Sequence, residues 1–138
     1  MHASRANPGA HALRLALGAM WGSHALLKVF VFTLPGTAAF FESKGIPGLL
    51  AYPVVAAELA GALALLLGVY ARQVAMLLVP ILVVATWTHL PNGWVFTAPG
   101  GGWEYPLFLI VASFAVWSMD DGGAGLRVSK RFVPEVRA

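Results

Sequence analysis

Residues 49–70, LLAYPVVAAELAGALALLLGVY, decide what kind of fold this chain can adopt. The run is apolar throughout except for one charge, Glu58. It is continuous rather than alternating, which argues against a half-exposed strand. Crossing a hydrocarbon core of about 30 Å takes about 20 helical residues, and this run is long enough. A carboxylate near the middle of such a span must be protonated or partnered, because a bare charge at that depth costs several kcal/mol. The rest of the chain must therefore supply further spans and something for Glu58 to meet.

Three more apolar segments flank it. The first runs from about Leu15 to Leu34 and stops at Pro35-Gly36; the third runs from about Val74 to Leu90 with Pro80 inside it; the fourth runs from about Tyr105 to Met119 and stops at Asp120-Asp121-Gly122-Gly123. The last two are short for a span, which local thinning of the bilayer or shelter behind neighbours can accommodate. No series of roughly ten-residue alternating segments suggests a β-barrel. Pro53 and Pro80 are tolerable in membrane helices where neighbours satisfy the freed carbonyls. Composition agrees. Of 138 residues, 59% are hydrophobic and 11% charged, against about 25% charged in soluble domains. A globule this small has too much surface to hide that apolar content from water. The sequence predicts an all-α integral membrane four-helix bundle, one membrane domain over 1–138 with spans of about 15–34, 49–70, 74–90 and 105–119 and a basic tail over 120–138.

The net charge of +3 comes mostly from the chain ends, so it points to a membrane surface and not to nucleic acid. Arg5 and Arg14 precede the first segment, Arg72 lies between the second and third, and Arg127, Lys130, Arg131 and Arg137 follow the fourth. The other two links carry Lys44 alone, balanced by Glu42. Positive residues favour the cytoplasmic side, so both termini and the Arg72 turn are expected there. The first apolar run exceeds a signal-peptide core of about 7–15 residues and contains His24 and Lys28, which suits an uncleaved signal-anchor. With no cysteine, disulfides, thiol catalysis and thiolate metal sites are excluded.

Two links invite local predictions. In PGTAAFFESKGIPG, residues 35–48, Thr37 is a candidate cap for a short interfacial helix; a loop burying Phe40 and Phe41 is the alternative. WTHLPNGWVFTAPGGGWEYP, residues 87–106, holds three of the five tryptophans, four glycines, His89, Asn92 and Glu104. Its tryptophans suit an interfacial belt and Pro91-Asn92-Gly93 a helix stop. Small residues at Gly18 and Gly22, and at Ala57 and Gly61, are spaced for close helix packing.

Polar residues within the spans are few. His24 and Lys28 lie four apart on one helix face. Glu58 is near mid-depth, His89 ends the third segment with Asn92 after it, and Glu104 and Tyr105 open the fourth. With the orientation above, all fall in the outer half of the bilayer, and the cytoplasmic half has nothing comparable. They predict a polar chamber opening outward, with residues 87–106 as its lid. Each also has a plainer role: Lys28 snorkelling to headgroups, His24 bonding a backbone carbonyl, His89 anchoring at the interface. Glu58 is the hardest to explain so, and Lys28 is the cation within reach.

RLALGAMWGSHALLKVF, FFESKGIPG, VVAAELAGALALLLGVYAR, HLPNGW and GGGWEYP together resemble the DoxX family of small membrane proteins, over about residues 11–120. The combination of His-x-x-x-Lys, Glu-x-x-Gly, His-x-x-Asn-Gly and Glu-Tyr carries the resemblance. Two departures are visible: Ala25 stands where the family often has glycine after the histidine, and Ala60-Gly61 where it often has paired glycines. The resemblance implies a multi-pass four-helix protein of the bacterial cytoplasmic membrane, linked in some members to quinone redox complexes. It marks His24, Lys28, Glu58, His89, Asn92, Glu104 and Tyr105 as signature positions.

Three functions are compatible with these residues. In the first, a quinone-linked redox protein or a membrane subunit of an oxidoreductase, Glu58, His24 and Lys28 do the proton chemistry. His89, Asn92, Glu104 and Tyr105 hold the quinone, and a partner protein carries the redox centre. The second is a haem- or metal-binding bundle; it is weaker, because the Glu-x-x-His spacing of di-iron bundles is missing. The third is a non-enzymatic assembly partner or small transporter, in which the polar cluster only locks the bundle. Substrate, partner and oligomeric state, a homo-oligomer included, are left open by the residues, as is whether the chain itself catalyses.

Overall fold

The computed structural model describes residues 7–119, and these are all-helical. Five α-helices follow in chain order: α1 (Pro8–Phe30), α2 (Leu34–Ser43), α3 (Ala51–Leu67), α4 (Ala71–His89) and α5 (Glu104–Ser118). Short 3-10 turns precede α3 at Gly48–Leu50 and follow α4 at Leu90–Asn92. The basic tail and Arg5 lie outside the described residues.

α1 begins seven residues before the first apolar segment. Asn7 accepts hydrogen bonds from the backbone N–H groups of Gly9 and Ala10 at 3.1 Å each, and Pro8 takes the first helical position. Both choices satisfy a helix N-terminus, where the first amides have no partner within the helix. The helix ends at Phe30 rather than Leu34, and the chain bends by 99° into α2. Thr33, not Thr37, caps α2: its hydroxyl accepts from Gly36 N–H at 3.2 Å. Thr37 is instead buried and donates to the Thr33 carbonyl at 2.9 Å. Phe40 is exposed on α2 and not folded under a loop. At the other end, Gly68 terminates α3 in the left-handed conformation at φ +71°, a backbone geometry that costs glycine nothing.

α1 and α3 run antiparallel, as Arg14 meets Leu65 at one end and Lys28 meets Glu58 towards the other. Their approach is set by glycine. A Cβ on Gly18 would lie 3.0 Å from Leu66 Cγ and 3.1 Å from Leu65 Cβ. In α3, a Cβ on Gly61 would lie 2.6 Å from Leu78 Cδ1 of α4, so this glycine sets the α3–α4 spacing. Ala57, the other half of that small pair, is exposed. α4 and α5 are also antiparallel; Arg72 Nε donates to the Trp117 carbonyl at 2.6 Å. One core joins them all: Leu17 and Trp21 of α1, Leu65 of α3, Leu78 and Leu82 of α4, Leu109 and Val116 of α5.

The outward faces are as apolar as the core. Leu63, Leu77, Phe108 and Val111 are 58%, 75%, 62% and 60% exposed. A helix apolar on all sides needs lipid or protein around it. Two stretches, Gly48–Leu67 and Ala71–Asn92, are long and apolar enough to cross a membrane, or three if the bent α1–α2 pair counts as one. α5 has 15 residues, about 22 Å at 1.5 Å per residue, short of the hydrocarbon core.

The polar residues of α1 require one correction. Arg14 is not an exposed flank: it lies inside α1 and is only 2% exposed. Its guanidinium donates to the Leu65 carbonyl, to the Leu66 carbonyl at 3.2 Å, and to His11 Nδ1 at 2.8 Å. These carbonyls belong to the last turn of α3, which carries the negative end of the helix dipole; the Leu65 carbonyl also accepts from the capping Gly68 N–H at 3.3 Å. The end of the fold away from Glu58 is therefore not free of buried charge.

Candidate functional site

Glu58 is 1% exposed, on the face of α3 turned to α1. One carboxylate oxygen, Oε1, accepts from Lys28 Nζ at 2.5 Å. Lys28 is held on α1 one turn beyond His24, so the His-x-x-x-Lys spacing delivers both to the same side. His24 Nδ1 lies 2.9 Å from the Met20 carbonyl, and His89 Nδ1 lies 2.7 Å from the Ala85 carbonyl. A carbonyl only accepts, so each Nδ1 carries the proton and Nε2 is the nitrogen left for a neighbour. The Tyr105 ring stands 5.9 Å from His24, tilted by 31°.

These side chains surround one cavity of about 570 Å³. Its polar lining is His24, Lys28, Glu58, His89 and Tyr105; its apolar walls include Met20, Trp21, Ile81, Leu82, Phe96 and Leu109. It lies at the end of the helices that carries the 93–103 loop, away from the Gly68–Tyr70 turn. Two atoms of its lining residues stand out for their burial. Trp21 Nε1 and Glu58 Oε2 are buried and have no hydrogen-bond partner within the described residues. Leaving such a group without a partner costs about 1–3 kcal/mol.

The loop over the cavity is built by Asn92 and Glu104. Asn92 Nδ2 donates to the carbonyls of Gly100 at 3.1 Å and Gly101 at 2.8 Å. Glu104 Oε1 accepts from Phe96 N–H at 2.8 Å. Neither residue lines the cavity, so both shape the lid and do not face its interior. Gly101 adopts φ +80°, and a Cβ on Gly102 would collide with the backbone oxygens of Val95 and Trp94. These glycines are required where the chain crosses itself, which brings Phe96 and the Gly101-Gly102 backbone onto the cavity. Trp94 and Trp103 pack edge to face at 4.4 Å within the loop, with Trp94 half exposed.

Of the seven residues marked by the sequence, five line the cavity and two fasten its loop. Trp21 was missed: on a helical wheel it is one more apolar core residue, and only its stranded N–H sets it apart. Phe96 was missed because nothing local places a loop phenylalanine on the rim of a cavity between helices. Arg14 was misplaced because the apolar segment was counted from Leu15, although Asn7-Pro8 is a helix-start signal. Among the described residues no three His, Asp or Glu side chains gather as a metal ion would need.

A comparison with protein families matches the DoxX family over residues 9–91. The chain belongs to the DoxX family. The match takes in α1 to α4 with His24, Lys28, Glu58 and His89, and ends before α5, so Glu104 and Tyr105 lie beyond it. No curated protein and no solved structure gave a match. DoxX membership and the apolar helices together make this a multi-pass membrane protein.

Proposed function

We propose that this DoxX protein crosses the membrane four times, as α1, α3, α4 and α5, and binds a quinone-type molecule in the cavity beneath the 93–103 loop. In this arrangement both termini and the Gly68–Tyr70 turn face the cytoplasm and the cavity opens in the outer half of the bilayer. It serves as a quinone-binding membrane subunit of an oxidoreductase, with a partner protein carrying electrons.

The observation that carries the proposal is the cavity's chemistry. Its walls are apolar, its volume of about 570 Å³ falls within the usual range of ligand sites, about 300–1,000 Å³, and its few polar groups are placed and partly unpartnered. That combination suits an aromatic ring with oxygens at opposite edges. Tyr105 presents its hydroxyl and Lys28 its remaining N–H groups to such oxygens, while His24 and His89 offer Nε2 as an acceptor once an oxygen carries a proton. The apolar walls exclude water around the ring. In this reading Glu58, held on α3 beside Lys28, takes up or returns the proton that accompanies the redox change. The redox chemistry itself belongs to the bound molecule.

A plain locking role for the polar groups has one observation in its favour, since the Lys28–Glu58 pair also ties α1 to α3. It leaves Glu58 Oε2 and Trp21 Nε1 without a purpose. The test is saturable binding of a short-chain quinone to the purified protein in lipid nanodiscs, scored against empty discs. Binding that is lost on His89→Ala and His24→Ala supports the proposal; no binding above the empty discs refutes it.

A further inference from the structure

We infer that a second pocket, between the 93–103 loop and the start of α5, holds the ammonium group of a zwitterionic phospholipid. Glu104 is its counter-ion and four aromatic rings form the box around it. The inference does not depend on what the main cavity binds.

The pocket measures about 350 Å³ and is lined by Trp94 and Phe96 of the loop and by Glu104, Tyr105, Leu107 and Phe108 of α5. An aromatic face carries the negative part of the ring quadrupole and attracts a cation, a quaternary ammonium above all. A carboxylate among the rings draws the same charge and repels an anion. Nothing in the chain neutralises it. No lysine or arginine occurs between Arg72 and Arg127, and Glu104 has no ion-pair partner among the described residues. Its Oε1 accepts from Phe96 N–H at 2.8 Å, while Oε2 makes no hydrogen bond there and is not sealed from its surroundings. The positive end of the α5 dipole does not turn this into an anion site. The Glu104 amide is committed to the Trp94 carbonyl at 3.1 Å, the Leu107 amide to the Trp103 carbonyl at 3.3 Å, and Pro106 has no N–H.

The box is built before anything enters it. The Glu104 backbone and side chain fasten Trp94 and Phe96 through the two bonds just given, and Trp103 packs edge to face on Trp94 at 4.4 Å. Glu104 and Phe108 stand one turn apart on the same side of α5. Yet the protein does not cover the rings: Trp94, Phe96, Tyr105 and Phe108 remain 51%, 64%, 41% and 62% exposed. The pocket sits at one end of an apolar helix, beside two tryptophans, which is the level of lipid headgroups. From Phe108 the exposed stripe continues along α5 through Val111 and Phe114. A phospholipid brings an ammonium at that level and acyl chains for that stripe, which a soluble amine does not.

The test titrates the full chain, purified in detergent, with phosphatidylcholine, phosphatidylethanolamine and phosphatidylglycerol of matched acyl chains, and measures bound lipid by native mass spectrometry. The two ammonium lipids should bind roughly 10-fold more tightly than phosphatidylglycerol. Glu104→Gln removes the charge but keeps an oxygen for Phe96 N–H, and should shrink that preference to below about threefold. Phe108→Leu, an apolar exchange on an exposed face, should weaken the ammonium lipids and leave phosphatidylglycerol unchanged. Equal affinity for the three lipids in the wild type overturns the inference. So does a preference that survives Glu104→Gln undiminished, or one that Phe108→Leu does not lower, because rings serving only as an interfacial belt would not sort headgroups by charge. Free choline at the lipid's own concentration should not displace phosphatidylcholine; displacement would overturn the lipid as the source of the ammonium.

Discussion

Replacing Lys28 with methionine should expose the cost of an unpaired carboxylate inside this fold. At the 2.5 Å separation of Nζ and Oε1, Coulomb's law gives about 7 kcal/mol of attraction at an effective dielectric of about 20. Desolvation opposes this on both sides. Glu58 is 1% exposed and has been withdrawn from solvent, whereas the Lys28 side chain keeps 24% exposure and surrenders less. Breaking a buried pair by removing one partner usually costs about 3–5 kcal/mol, and the partial exposure of Lys28 lowers the expected figure to about 2–4 kcal/mol. After Lys28→Met both carboxylate oxygens are without a partner, since Oε2 already is. Glu58→Gln added to Lys28→Met should recover at least half of the loss, because a buried amide is far cheaper than a buried charge. The assay is reversible unfolding in detergent micelles, followed by tryptophan fluorescence, as a double-mutant cycle over both positions. A Lys28→Met cost below about 1 kcal/mol, with effects that simply add, would mean that the pair is a surface contact and that Glu58 is not buried as described.

Three further outcomes are expected. Arg14→Met keeps the side-chain volume but strips donors from the Leu65 and Leu66 carbonyls, and should destabilise the fold by about 2–4 kcal/mol in the same unfolding assay; a neutral substitution would place Arg14 outside the helix interface. Gly102→Ala drives a Cβ into the Val95 and Trp94 carbonyls, so amide exchange over residues 93–103 should speed up by at least about tenfold, with α1 and α3 little changed; unchanged exchange would show that the loop does not cross itself there. Because the chain has no cysteine, single cysteines at Val69 and Phe96 permit a clean topology test. An impermeant maleimide applied from the outer side of intact cells should label position 96 and not position 69, and the reverse pattern would invert the proposed orientation.

How much of this could be read from the sequence depended on whether the signal was local. The helical class, Glu58 as the residue needing an explanation, and Lys28 as its partner follow from hydropathy and four-residue spacing. The position of Lys28 on α1 and that of Glu58 on α3 place them on facing helices wherever the two pack antiparallel. Helix ends were less legible. The bend at Phe30 and the cap at Thr33 depend on backbone turns that hydropathy does not register, and Arg14 was lost to that blur. Asn92 and Glu104 are polar and sit beside the site residues in sequence, yet they spend their hydrogen bonds on the loop. Side-chain type cannot distinguish a wall from a hinge. Trp21 shows the limit most clearly. Its ring belongs to the core by periodicity, and only the assembled structure leaves its N–H buried without a partner among the described residues.

The most direct test of the central claim is photolabelling of the membrane-embedded protein with an azido-quinone, followed by peptide mapping. Labels should fall on the cavity lining: residues 20–28 of α1, 81–89 of α4, or 96–106 at the loop and the start of α5. An excess of unlabelled quinone should suppress them. Labels spread instead over the outward faces at Leu63, Leu77 and Phe108, with no suppression by competitor, would mean that the quinone meets this protein only as a lipid does.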